Sequence, residues 1–352
     1  MNSIARPIVL LALAWAATTA ADAAPPRPVA EQPLKLSETG LFVAGSTTVV
    51  RADVLAFTPQ YPLWSDGVTK RRWIRLPPGT TIDARRADAW DFPPGTRLWK
   101  EFSVDRRVET RLIERLADGT WRFATYVWNS EGTEALLAPA AGIAALPVAG
   151  APQSRYAIPG EADCRACHEG AAAPVLGFSA LQLSPDRDPL APHAEPPGPA
   201  DVDLDQLVAR GLVRNLPSSL RSTPPRIAAR TATERAVLGY LHANCGHCHG
   251  EPETGSSVPV NLQLVQSVMN GHSAETALRS MVGAASRFRS ADGVQGRIVS
   301  PGAPARSVLA LRMQTRNPQA QMPPLGTRLP DTQALELIER WIRTDLQPRE
   351  EH

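Results

Sequence analysis

Two short stretches carry the residues best placed for chemistry. In Asn244-Cys245-Gly246-His247-Cys248-His249 and in Cys164-Arg165-Ala166-Cys167-His168, two thiols lie three positions apart and an imidazole follows the second. Thiols at that spacing sit about one helical turn apart. They can add across the two vinyl groups of one porphyrin while the adjacent histidine reaches its iron. Cys-x-x-Cys-His is the attachment signature of a c-type haem. The chain has four cysteines, and the two motifs use all of them. A zinc ion shared between the pairs, or disulfides, would also use four cysteines. Neither needs a histidine directly behind the second cysteine in both places. The spacing therefore predicts two covalently bound haems c, on Cys164 and Cys167 and on Cys245 and Cys248, with His168 and His249 as proximal iron ligands.

A sixth ligand is expected for the second iron. Gln321-Met322-Pro323-Pro324 lies downstream of His249 and just before a helical pattern. Prolines stiffen such a loop and remove competing backbone donors, which points to Met322. A thioether opposite a histidine raises the potential and leaves no open position, as electron transfer requires. The first iron is different. No methionine lies between Cys167 and Met269. His193, Met269, Met281, Met313, His242 and His272 all remain candidates, as does a five-coordinate iron.

The positioning elements read as an α+β multidomain chain. A β-sandwich-like N-terminal domain precedes a small haem module and an α-helical, class I-like cytochrome c domain. Residues 34–150 form the β-rich part, 155–225 the first haem module and 230–348 the second. Lys70–Arg75, Leu98–Val104, Val108–Leu116 and Trp121–Trp128 read as short strands, and Trp90-Asp91-Phe92 as a shorter one. Asp118-Gly119 marks a hairpin. Six of the eight tryptophans lie between Trp64 and Trp128; core and cross-strand packing accounts for them better than a carbohydrate platform. Tyr61-Pro62-Leu63-Trp64-Ser65-Asp66-Gly67 is turn-rich, with Asp66 a turn cap more than a catalytic group. Residues 140–160 read as a linker or edge segment, and 201–210 as a short helix stopped by Gly211.

Thr231-Ala232-Thr233-Glu234 is a capping box. It opens a helix that runs into Cys245, where a class I cytochrome c places its first helix. Asp331 caps a last helix with Leu335, Ile338, Trp341 and Ile342 on one stripe. Gly239 or Tyr240 against Trp341 fits a crossing of the two helices.

Bulk properties agree. The 352 residues, with a net charge of +2, carry no footprint for nucleic acid. With 34 prolines, much of the chain should be loop and turn. Arg6, the apolar run from Ile8 to Ala17 and Ala21-Asp22-Ala23 fit a signal peptide over residues 1–23. A Pro- and Ala-rich leader follows to about Pro33. The apolar run is short for a membrane span, and no later stretch is apolar enough to cross. The expected location is the periplasm, since c-type haem is attached outside the cytoplasm.

Leu176-Gly177-Phe178 with Leu181-Gln182-Leu183 after the first motif, Tyr240–His249, and Gln321-Met322-Pro323-Pro324-Leu325-Gly326-Thr327 resemble a family of bacterial periplasmic dihaem c-type cytochromes with a tryptophan-rich N-terminal region. Stretches like Tyr61–Lys70 and Phe92–Thr96 occur in that region. The resemblance covers most of the mature chain, with Ser184 standing where asparagine is usual. It implies electron transfer with a loosely defined partner; the first reading is a carrier or relay serving a periplasmic redox protein or dehydrogenase, favoured over an enzyme. Two alternatives stand beside it. One is a dihaem enzyme of peroxidase type with an open-site haem at His168. The other is a binding module that uses the β-domain.

Overall fold

In this computed structural model, residues 31–250, 261–289 and 295–347 are described. The expected signal peptide, and the leader up to residue 30, lie outside them. The strands form where charged and apolar residues alternate. They are β1 (Leu55–Ala56), β2 (Thr69–Arg75), β3 (Ile82–Asp83), β4 (Arg97–Val104), β5 (Arg106–Arg115), β6 (Trp121–Trp128) and β7 (Ala135–Leu137). All but β3 build one antiparallel sheet of six strands, in the order β1-β2-β4-β5-β6-β7. The Asp118-Gly119 turn joins β5 to β6: Gly119 takes φ +85° and the Asp118 carboxylate accepts the Thr120 amide at 2.9 Å.

The two faces of this sheet bury different things. Trp73, Trp99, Leu112 and Ala124 are cross-strand neighbours on one face. Leu36, Leu41, Phe42 and Val54, from the segment before β1, cover them. Ile74, Leu98 and Ile113 point the other way, into a core with Trp90, Phe92, Val175, Phe178 and Leu204. Trp73, Trp90, Trp99 and Trp128 are all buried, so these tryptophans are core.

The expected sandwich is not formed by two stacked sheets. Among the described residues the remaining sheets are two-stranded: β3 with β10 (Val213–Arg214), β8 (Ile143–Pro147) with β9 (Arg155–Ile158), and β11 (Ala285–Arg289) with β12 (Gln295–Arg297). Irregular chain covers both faces of the large sheet instead; on the Val175–Leu204 side it is rich in proline, which lacks the amide a ladder needs. Trp90-Asp91-Phe92 makes a single bridge, Asp83 to Asp91, for the same reason. The segment expected as a linker contains the β8–β9 hairpin. Val148, Ala151 and Ile158 pack there against Val108 of β5.

Helices follow the sheet: α1 (Glu161–His168), α2 (Leu204–Ala209), α3 (Ser219–Ser222), α4 (Ala232–Asn244), α5 (Ser273–Met281), α6 (Val308–Gln314) and α7 (Thr332–Thr344). At the start of α4 the Thr231 hydroxyl accepts the Glu234 amide at 3.0 Å. Glu234 does not close the box; its carboxylate takes the amide and guanidinium of Arg230 instead. At α7, Asp331 accepts the Ala334 amide at 3.0 Å. These two helices share a core of Val237, Leu238, Leu241, Leu335, Ile338, Trp341 and Ile342. Gly239 faces elsewhere than expected: a Cβ there would overlap the Tyr61 ring. Tyr61 and Leu181 belong to the same core. The segments assigned to separate modules thus interleave their side chains. Among the described residues no helix is long and apolar enough to cross a membrane.

Candidate functional site

The first motif lies on α1. The Asp163 carboxylate accepts the Gly160 amide at 2.9 Å and starts the helix. On its outer side, Arg165 bridges Glu161 at 2.7 Å and Glu169. The inner side rests on the large sheet, with the His168 ring centroid 5.3 Å from that of Phe123. His168 Nδ1 donates to the Pro174 carbonyl at 2.6 Å. That bond fixes the tautomer and turns Nε2 outward as a free lone pair. Burial lowers the His168 pKa to about 4, so the ring is neutral at pH 7. Burial raises Cys167 to about 11 and also raises Cys164. Both sulfurs stay as thiols, which argues against thiolate catalysis.

The second motif starts where α4 stops. Asn244 Nδ2 donates to the Tyr240 carbonyl at 3.0 Å, and its Oδ1 accepts the Trp64 amide at 2.7 Å. Cys245 caps the helix, and the His249 amide returns to the Cys245 carbonyl at 2.8 Å. Burial raises the Cys245 thiol to about 12. It also lowers the His249 pKa, helped by the Arg312 guanidinium. His249 Nδ1 is buried with no partner among the described residues, and residues 251–260, directly after the motif, lie outside them.

Met322 sits beside the same arginine. Its amide donates to the Arg312 carbonyl at 2.8 Å. The loop behind it is held from the N-terminal part of the chain. The Asp66 carboxylate, at φ +51°, accepts the amides of Arg328 and Leu329, each at 2.9 Å. Trp64 Nε1 donates to the Leu329 carbonyl at 3.4 Å. Residues 61–67 are therefore a strap that grips α4 at Gly239 and Asn244 and the loop after Met322. Asp66, expected to cap its own turn beside Gly67, caps a distant loop instead. The only sequence signal was a turn-forming run rich in aromatics, which does not say what the turn touches.

The two motifs meet. A Cβ on Gly170, two residues beyond His168, would lie 2.7 Å from the His247 carbonyl oxygen. A cavity of about 1210 Å³ opens beside this junction. It exceeds ordinary ligand pockets of about 300–1,000 Å³. Cys164, Cys167 and His168 line it, as do Gly246 and His247 and the Pro323–Arg328 stretch of the Met322 loop. Of the candidates for the first iron's sixth ligand, Met269 and His242 face the cavity. His242 Nδ1 accepts the Gln266 amide at 3.1 Å, leaving Nε2. The others are engaged elsewhere. His193 Nε2 bonds Asp331 at 2.7 Å and its ring lies against Trp64. Met281 and Met313 are core, and His272 pairs with Glu275 at the surface.

The sheet supplies a further wall. Arg72, Lys100 and Arg111 are direct cross-strand neighbours on β2, β4 and β5, and all three line the cavity. Arg72 pairs with Glu195 at 3.3 Å and Arg111 with Glu109 at 2.6 Å.

These features fit a c-type porphyrin. All four cysteines are half-buried, His168 is oriented by a carbonyl, and a wide cavity adjoins the first pair. Among the described residues no three His, Cys, Asp or Glu side chains converge on a metal position. No family model, curated protein or solved structure matches the chain.

Proposed function

We propose that the chain is a periplasmic dihaem c-type cytochrome that relays electrons to or from a redox protein or dehydrogenase. One observation carries this reading most: two complete Cys-x-x-Cys-His motifs, 81 positions apart in sequence (245 − 164), abut at Gly170 and His247. When bound, the haems supply one-electron chemistry at iron. The chain's own residues do the rest. Each cysteine S–H adds across a vinyl group to make a thioether, a step that needs no oxidant. His168 and His249 offer neutral imidazole nitrogens. The Arg312 carbonyl holds the Met322 amide and the Asp66 strap holds the loop after it; Met322 would be the sixth ligand of the second iron. A short path between the motifs suits transfer from one centre to the other.

A second reading is favoured by the size of the cavity beside His168. An open first iron there would suit a peroxidase-type enzyme, with His242 as a neutral base. One experiment separates the readings. Spectra of the purified protein with cyanide and with carbon monoxide should be unchanged for a relay with two six-coordinate irons. A ligand-bound spectrum for half of the haem supports the enzyme. Loss of haem from the denatured chain overturns both.

A further inference from the structure

Three cations stand side by side on the inner face of the sheet: Arg72, Lys100 and Arg111. Like charges in directly opposed positions repel one another. Two carboxylates answer two of the three, Glu195 at Arg72 and Glu109 at Arg111. Tyr156, from β9, donates its hydroxyl to Glu109 at 2.7 Å and so shares that carboxylate. Among the described residues no carboxylate pairs with Lys100; its ammonium lies over the Phe102 ring, 5.0 Å from the centroid. Arg111 shares that ring from 4.2 Å. Arg72 is buried, and its second terminal nitrogen has no partner among the described residues. Lys70, on the same face, adds a fourth cation but turns away to the Val68 carbonyl at 3.1 Å.

A surplus of buried positive charge calls for an anion. Lys100, whose ammonium rests only on an aromatic ring, and Arg72, with its unpartnered nitrogen, both line the cavity that Cys164, Cys167 and His168 also line. A propionate-bearing porphyrin attached there carries two carboxylates on the edge remote from its vinyl groups. We infer that Arg72 and Lys100, flanked by Arg111, are the binding site for the haem propionates at the first motif, so that the β-sheet forms part of that haem's pocket. This inference rests on the dihaem reading. It assigns the N-terminal domain a role in holding a cofactor that another part of the chain attaches. Burial and the neighbouring arginines hold the Lys100 pKa well below its ordinary value, and an adjacent carboxylate would reverse that direction.

The test uses the full holoprotein. Lys100→Met should retain two haems per chain by pyridine haemochrome. It should lower the potential of the haem that Met322→Ala leaves unmoved, because a nearby cation favours the ferrous state. Lys100→Arg should keep the parent potential. Resonance Raman propionate bending modes of the unaltered protein should show one strongly hydrogen-bonded set, lost in Arg72→Met, and this readout stands even if Lys100→Met fails to fold. Two haems with an unmoved potential in Lys100→Met, or weakly bonded propionates only in the parent, overturn the inference. Fewer than two haems in the parent overturns the dihaem reading instead.

Discussion

The ring of Tyr61 lies against the backbone of Gly239, in the middle of α4, so closely that no side chain fits between them. The Tyr61 hydroxyl then donates to the Asp188 carboxylate at 3.0 Å. A residue from the β-rich part is thus seated in the helix that leads to Cys245, and it helps to set the direction of that helix. Gly239→Ala should destabilise the fold by about 1–3 kcal/mol through overpacking. Tyr61→Ala alone should cost about 3–5 kcal/mol. In the double variant the Gly239→Ala penalty should largely vanish, since the clashing ring is gone. Denaturant unfolding of all four proteins checks this; additive effects would rule out the contact.

Two haems per chain should survive denaturation. Cys164→Ala with Cys167→Ala should reduce the haemochrome yield from two to one, and the same change at Cys245 and Cys248 should do likewise. A parent chain with a single haem would contradict the assignment at the first motif.

Met322→Ala should abolish the methionine-to-iron charge-transfer band of the oxidised protein and lower one of two potentials. Asp66→Ala removes the acceptor of the Arg328 and Leu329 amides. It should weaken that band and shift the same potential in the same direction, while leaving the haem count at two. An unaltered band in Asp66→Ala would reduce the strap to a structural contact.

The two centres should titrate as separate waves, with the centre at His249 the higher. A thioether ligand favours the ferrous state; of the two candidates that face the cavity beside His168, His242, not the thioether of Met269, would keep that centre lower. Met322→Ala should move only the higher wave. A single wave shared by two equal centres would contradict this asymmetry.

Acid should weaken the fold through His242. Burial lowers its pKa from 6.5 to about 4. Between those values the unfolded chain binds a proton that the folded chain does not, so stability is full above pH 6.5 and falls as pH drops toward 4. The effect is at most about 3 kcal/mol. His242→Gln should flatten the stability profile over that window. An unchanged slope would show that His242 does not titrate there.

Local chemistry was legible in the chain itself. The thiol–imidazole spacing picked out the candidate residues, alternation located the strands from Thr69 to Trp128, and Thr231 and Asp331 marked where α4 and α7 begin. Those features depend on neighbours a few positions apart, so periodicity and capping reveal them. Other features join residues far apart in sequence. Tyr61 meets Gly239, Asp66 meets Arg328, Gly170 meets His247, and Arg72 stands beside Lys100 and Arg111. No period or motif encodes such pairs. They arise when apolar surfaces from the β-rich segment and from the helices are buried in common cores, and only the tertiary structure decides which side chains then face the cavity.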